Sequence, residues 1–152
     1  MKWSEIAGQE CSIARALSIV GDSWTMLVVR ELFNGNRRFN GLQAATQAPP
    51  AILSERLSML ETEAIVEKRP YSARADRFEY RLTAKGRDLY PILLTLMAWG
   101  DRWMTEAGAP PPVRLRHTPC GHETHPHLSC SECGDAIDPR AVTKLTDEPP
   151  GG

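Results

Sequence analysis

The residues best suited to chemistry are crowded into one short stretch. All four histidines (His117, His122, His125, His127) and three of the four cysteines (Cys120, Cys130, Cys133) fall between positions 117 and 133 of a 152-residue chain. Thiolates and imidazoles are the ligands zinc prefers, and four of them make a closed tetrahedral site with no position left for water. Cys130-Ser-Glu-Cys133 offers a bite that suits one metal. Cys120-Gly-His122 supplies a second, shorter pair, in which His125 or His127 could stand for His122. The expected set is therefore Cys120, His122, Cys130 and Cys133 around a structural Zn ion. A dithiol that oxidises to a Cys130–Cys133 disulfide, or an extension without metal, are the alternatives. A catalytic zinc would need an open position, a general base and a pocket. Glu123 and Glu132 are near in sequence, but nothing in the pattern supplies a cavity. The deaminase pattern, His-x-Glu followed by Pro-Cys-x-x-Cys, is absent. No enzyme activity is expected.

The elements that would carry this cluster occupy the rest of the chain. With 41% hydrophobic and 24% charged residues, the composition is that of an ordinary globular protein. No apolar run approaches the roughly 20 residues of a membrane span, and MKWSEIAGQEC lacks the apolar core of a secretory signal. A cytoplasmic location without membrane attachment is expected, where cysteines serve as metal ligands or reactive thiols rather than in disulfides. Three zones are expected: a patterned domain over 1–106, a Pro-rich linker over 107–113 (AGAPPPV), and a Cys/His extension over 114–140. A tail expected to be disordered, 141–152, ends in TDEPPGG.

Within the first zone, Ile13, Leu17 and Val20 recur at helical spacing before Gly21, and WTMLVVRELF is apolar almost all round, as in a buried helix. Asn34-Gly35-Asn36 is a turn. A short helix follows with Phe39, Leu42 and Ala45 on one face. The next begins at Pro49-Pro50, suited to a first helical turn. On its wheel Leu53, Leu57, Leu60 and Ala64 align, while Ala51, Ser54, Glu55, Ser58 and Thr62 point away. That second face is small and polar, unlike a plain solvated face rich in Lys and Glu, as though a partner must come close. Alternation on both sides of Ser72–Asp76 predicts a hairpin. From Val66 to Arg87 seven basic residues face three acids, so a net charge of −1 conceals a local positive excess. A long helix then runs over TAKGRDLYPILLTLMAWGDRWM, capped by Thr83, kinked near Pro91, with Leu89, Ile92, Leu96, Trp99 and Trp103 on one stripe.

The fold class expected is mainly α with a small antiparallel β wing: a winged helix-turn-helix with a short metal-stapled extension. In this architecture one helix enters the major groove of double-stranded DNA and the basic wing reaches phosphates.

The runs CSIARALSIVGDSWTMLVVRELFNGNRRFNGLQ, ILSERLSMLETEAIVEKR, EYRLTAKGRDLYPIL and WGDRW, in this order over about residues 10 to 104, resemble the HxlR-type winged-helix transcriptional regulators, relatives of the MarR group. The resemblance implies a homodimer on a pseudo-palindromic operator, acting as a repressor, with a seam between first and last helices. For this chain the seam would use Leu89, Ile92, Leu96, Trp99 and Trp103. It implies a recognition helix from Pro50 to Glu63 with Ser54 and Arg56 toward DNA. Ala51, Glu55 and Ser58 of the outward face would join them, while Arg56, on the flank of the wheel, has Glu55 and Glu63 as alternative partners. Arg37 and Arg38 would meet phosphate, and Arg74 and Arg77 would sit at the wing tip. Some such regulators sense oxidants or electrophiles through a cysteine matching Cys11, where a helix N-terminus favours the reactive thiolate. The resemblance thus admits a redox or small-molecule inducer. The bland alternative for Cys11 is a small residue buried in the seam.

Three positions depart from the family pattern. Ala51 and Ser58 stand where a basic residue is common, and Ala64 stands where Gly usually ends the helix, with a modest strain if the left-handed conformation is kept. With little positive charge on the reading face, affinity should lean on wing and backbone contacts, and specificity on DNA shape as well as base edges. The same lack of charge sustains a rival: a zinc-ribbon interaction module whose winged helix serves protein contacts.

Overall fold

The computed structural model describes residues 10–71 and 78–145 and divides the chain into two compact units, Met1–Leu93 and Leu94–Gly152. In the first unit, α1 (Ser12–Val20) and α2 (Thr25–Phe33) are separated by Gly21–Trp24. They lead to α3 (Phe39–Thr46), α4 (Pro50–Thr62) and the antiparallel strands β1 (Val66–Pro70) and β2 (Phe78–Leu82). After the short α5 (Ala84–Arg87) comes α6 (Tyr90–Trp103), within which the division at 93/94 falls, upstream of the Pro-rich run. No single described helix is long and apolar enough to cross a membrane.

The core is drawn from four elements. Val28, Val29 and Leu32 of α2, Leu42 of α3, and Leu53, Leu57 and Leu60 of α4 close on Ile65 and Val66 at the root of the wing. Each fully buried aliphatic side chain contributes about 1.5–3 kcal/mol, so α4 is fixed by its three leucines. The start of α2 is fixed by Asp22. Its carboxylate accepts the Trp24 and Thr25 N–H groups at 2.8 and 3.1 Å, and the Thr25 hydroxyl. Burial works to raise the Asp22 carboxyl, but these hydrogen bonds, with the nearby Arg56 guanidinium, hold it below the usual carboxylate range.

The end of α4 is a Schellman turn. The Ile65 N–H donates to the Leu60 carbonyl and the Ala64 N–H to the Glu61 carbonyl, with Ala64 at φ +54°. The left-handed conformation is kept here at an alanine. Ala64 itself lies beyond the helix and is exposed, so the buried row ends at Leu60 and continues in Ile65. On α3, Thr46 rather than Ala45 is buried, its hydroxyl donating to the Leu42 carbonyl at 2.7 Å.

The helix expected as one long element is two. Proline has no N–H to donate, and its ring crowds the carbonyl four residues earlier. For Pro91 that carbonyl is Arg87's, and α5 stops at Arg87. The Thr83 cap is formed, its hydroxyl oxygen accepting the Gly86 N–H at 3.1 Å.

The second unit carries two small hairpins. β3 (Leu115–Arg116) pairs antiparallel with β4 (Glu123–Thr124), and Ser129 bridges to Ala136. An Arg114–Glu123 pair, with Nε 2.8 Å from Oε1, clasps the first hairpin.

Candidate nucleic-acid interface

Helix α4 has two distinct faces. Leu53, Leu57 and Leu60 are within 1% of complete burial, whereas Ala51, Ser54, Glu55 and Ser58 are all exposed, as the wheel predicted. The exposed row presents a methyl group, two hydroxyls and one carboxylate, which suit close approach to base edges in a groove. Arg56 lies on the flank and is directed toward the scaffold. Its Nε is 3.6 Å from Asp22 Oδ1, an ion pair too long for a hydrogen bond, and its Nη2 is 3.3 Å from Glu55 Oε1. That charge ties α4 to the entrance of α2.

The basic pair Arg37-Arg38 is held by a device the sequence pattern did not reveal. Glu31 is buried on α2, and its carboxylate accepts Arg30 Nε at 2.8 Å and Asn36 Nδ2 at 2.6 Å. The Asn36 N–H donates to the Glu31 carbonyl as well. The Asn34-Gly35-Asn36 turn, with Gly35 at φ +90°, is thereby locked just before the two arginines. The Arg37 carbonyl accepts the Tyr80 N–H at 2.7 Å, joining this loop to β2 on the edge facing away from β1. The Arg38 guanidinium stacks 4.1 Å from the Tyr71 ring centroid at the end of β1. Both arginines are exposed and line, with Asn36, Asn40 and Tyr71, an open groove between the start of α3 and the wing. The spacing Glu31, Asn34, Gly35, Asn36 was the available signal for this arrangement.

The wing's charge is partly spent internally. Arg69 pairs with Glu67 at 2.7 Å and Arg81 Nε with Glu79 at 2.8 Å, while Lys85 donates to the Glu63 carbonyl and Arg87 to that of Leu82. The Arg81 guanidinium hydrogen-bonded to Glu79, assisted by Arg37 and Arg38, holds that carboxyl below its ordinary range. Lys68 lies over the Phe78 ring at 4.4 Å. Arg74 and Arg77 lie outside the described residues.

The stripe expected for a seam is divided. Leu89 packs against the core, whereas Ile92, Leu96, Trp99 and Trp103 of α6 are 42–62% exposed in the single chain. On α1, Ile13 and Leu17 are also exposed. Cys11 is the exposed N-cap residue of α1, in an extended conformation, its carbonyl accepting the Arg15 N–H at 3.0 Å.

In the Cys/His stretch, Cys130 and Cys133 are neighbours, and Cys120 has an imidazole beside it. His117 Nδ1 stands 3.3 Å from Cys120 Sγ. Among the described residues no three His, Cys, Asp or Glu side chains are gathered as a metal cage.

Residues 19–108 match the family model for the HxlR-like helix-turn-helix. Over 132 residues the chain is 44% identical to the uncharacterized HTH-type transcriptional regulator Rv3095 of Mycobacterium tuberculosis, covering 87% of this chain and 83% of that protein. Its fold is similar to the crystal structure of PA1607, with a TM-score of 0.82 at 28% identity over 95% of this chain and 99% of the other. It is also similar to the redox regulator HypR in its reduced form, with a TM-score of 0.57 at 28% identity over 60% of this chain and 92% of that one. The chain belongs to the HxlR-like helix-turn-helix family, whose members are DNA-binding transcription regulators and not enzymes.

Proposed function

We propose that the protein is a homodimeric cytoplasmic repressor that binds a pseudo-palindromic operator. Helix α4 enters the major groove with Ala51, Ser54, Glu55 and Ser58, Arg37 and Arg38 meet phosphates, and the wing, including Arg74 and Arg77, tracks the backbone. The observation that carries this reading is the division of α4 into a fully buried leucine face and an exposed face of small polar groups. The apolar, exposed row on α6 supports a second copy as the dimer partner. Oxidants acting on Cys11, exposed at the start of α1, are the inducer class that fits. Loss of oxidant response in Cys11→Ser, with affinity in the reduced state unchanged, is the expected result.

The salt dependence of duplex binding separates this function from the interaction-module reading, which the internal pairing of Arg56 otherwise favours. Removing one basic side chain from a phosphate should reduce the slope of log K against log salt by about 1. Arg38→Ala and Arg74→Ala are expected to reduce it together by about 2. Ser54→Ala should change sequence preference and leave the slope alone. A slope near zero for the unmodified protein would refute DNA binding as its function.

A further inference from the structure

The two halves of the Cys/His extension are the same turn made twice. His117-Thr-Pro-Cys120-Gly121-His122 and Cys130-Ser-Glu-Cys133-Gly134-Asp135 share one pattern, a ligand type followed by x-x-Cys-Gly. In the first, the Gly121 N–H donates to the His117 carbonyl at 2.8 Å and the His117 N–H to the His122 carbonyl at 2.9 Å. In the second, the Gly134 N–H donates to the Cys130 carbonyl at 2.9 Å and the Cys130 N–H to the Asp135 carbonyl at 2.8 Å. Gly121 and Gly134 have φ of +73° and +80°, the left-handed conformation that glycine adopts without strain.

Each turn brings its first and fourth side chains together. His117 Nδ1 is 3.3 Å from Cys120 Sγ. A tetrahedral zinc with Zn–N near 2.05 Å and Zn–S near 2.3 Å sets these atoms about 3.6 Å apart, so the pair is already close to its ligating spacing. In the other turn the Cys130 sulfur accepts the backbone N–H groups of Glu132 and Cys133 and contacts the Cys133 thiol. His122 occupies the place that Asp135 takes in the second turn, one that supplies a backbone carbonyl to the turn.

From this repeat we infer that His117, Cys120, Cys130 and Cys133 form a zinc site, with His117 bound through Nδ1, in place of the His122 expected from spacing. Three thiolates and one imidazole favour zinc over harder cations and leave no open coordination position, so the ion is structural. The two pairs are preformed separately, and the ion draws one hairpin onto the other. Such a staple answers a physical need. No described residue of 107–145 is buried, and Leu128, Ile137 and Val142 are 48–60% exposed, so the extension has almost no apolar core of its own. Metal binding then supplies the folding free energy that burial does not.

The test uses the full-length chain, purified under reducing conditions and assayed for metal by mass spectrometry, then loaded with Co(II) after chelation. One zinc per chain is expected, and the cobalt form should show the intense visible bands of a tetrahedral thiolate site. His117→Ala and Cys133→Ser should lose the metal, whereas His122→Ala should retain it with an unchanged cobalt spectrum. His117→Cys guards against a merely misfolded alanine variant, and should hold the metal with an added thiolate band. A metal-free protein with a Cys130–Cys133 disulfide, octahedral cobalt, or loss of metal in His122→Ala with retention in His117→Ala would overturn the assignment.

Discussion

Gly86 joins the wing to the rest of the winged helix, and replacing it with alanine tests that joint. A Cβ there would stand 2.2 Å from the Ile65 carbonyl oxygen and 3.0 Å from Leu82 Cδ2. Ordinary contact begins near 3.4 Å, so backbone must move by about 1 Å. The obstructing oxygen cannot move freely. It accepts the Thr83 N–H at 3.0 Å and lies 3.2 Å from the Thr83 hydroxyl, which also donates to the Ala64 carbonyl at 2.6 Å. A shift of this size breaks about two hydrogen bonds of roughly 1 kcal/mol each and adds overpacking of about 1–3 kcal/mol. The better helix propensity of alanine returns about 1 kcal/mol. The net cost is about 3 kcal/mol, a large part of the 5–15 kcal/mol typical of a domain. Urea denaturation followed by fluorescence of Trp24, which packs on the core, should show a midpoint lowered by about 1–3 M. Gly41→Ala, whose Cβ would meet only Asn36 Oδ1 at 3.5 Å, should be neutral or stabilising by up to about 1 kcal/mol. Equal midpoints for Gly86→Ala and the unmodified protein would refute this account of the wing root.

Three further outcomes are expected. Ala64→Gly should raise stability by about 1 kcal/mol, since it removes the left-handed penalty at φ +54°; an unchanged or lower urea midpoint would contradict this. Asp22→Ala should cost about 1 kcal/mol at neutral pH through loss of the cap. Because the folded state holds this carboxyl below its unfolded value near 3.9, its contribution is complete above about pH 4 and fades as pH falls further. The gap between the denaturation curves of the two proteins should therefore narrow steadily as pH falls below about 4, and a constant gap would count against the proposed cause. Trp99→Glu on the exposed α6 row should turn a dimer into a monomer in sedimentation velocity; a variant that stays dimeric would remove α6 from the seam.

Much of the winged helix was legible because its signals are local and repeated. The leucine row of α4, the antiparallel pairing of β1 with β2, and the Thr83 cap each follow from periodicity or capping chemistry. What escaped depends on contacts between elements or within a turn. Arg56 finds Asp22 across 34 positions, a partner no wheel displays. Glu31 is buried because Arg30, Asn34 and Asn36 return to it, which a composition reading would assign to solvent. Pro91 predicts a kink, but its effect on the carbonyl four residues back splits the helix outright. In the extension, spacing does not display the contact between His117 and Cys120, which forms within the turn that the Gly121 N–H closes on the His117 carbonyl.

The central claim is sequence-specific recognition of duplex DNA by α4 in a dimer. Its most direct test is selection of sites from a pool of random duplexes by the reduced, zinc-loaded protein. The account predicts enrichment of two related half-sites in inverted orientation, about one helical turn apart, with Ser54→Ala altering the enriched bases. Weak binding that enriches no sequence would contradict it and leave protein contacts as the role of the winged helix.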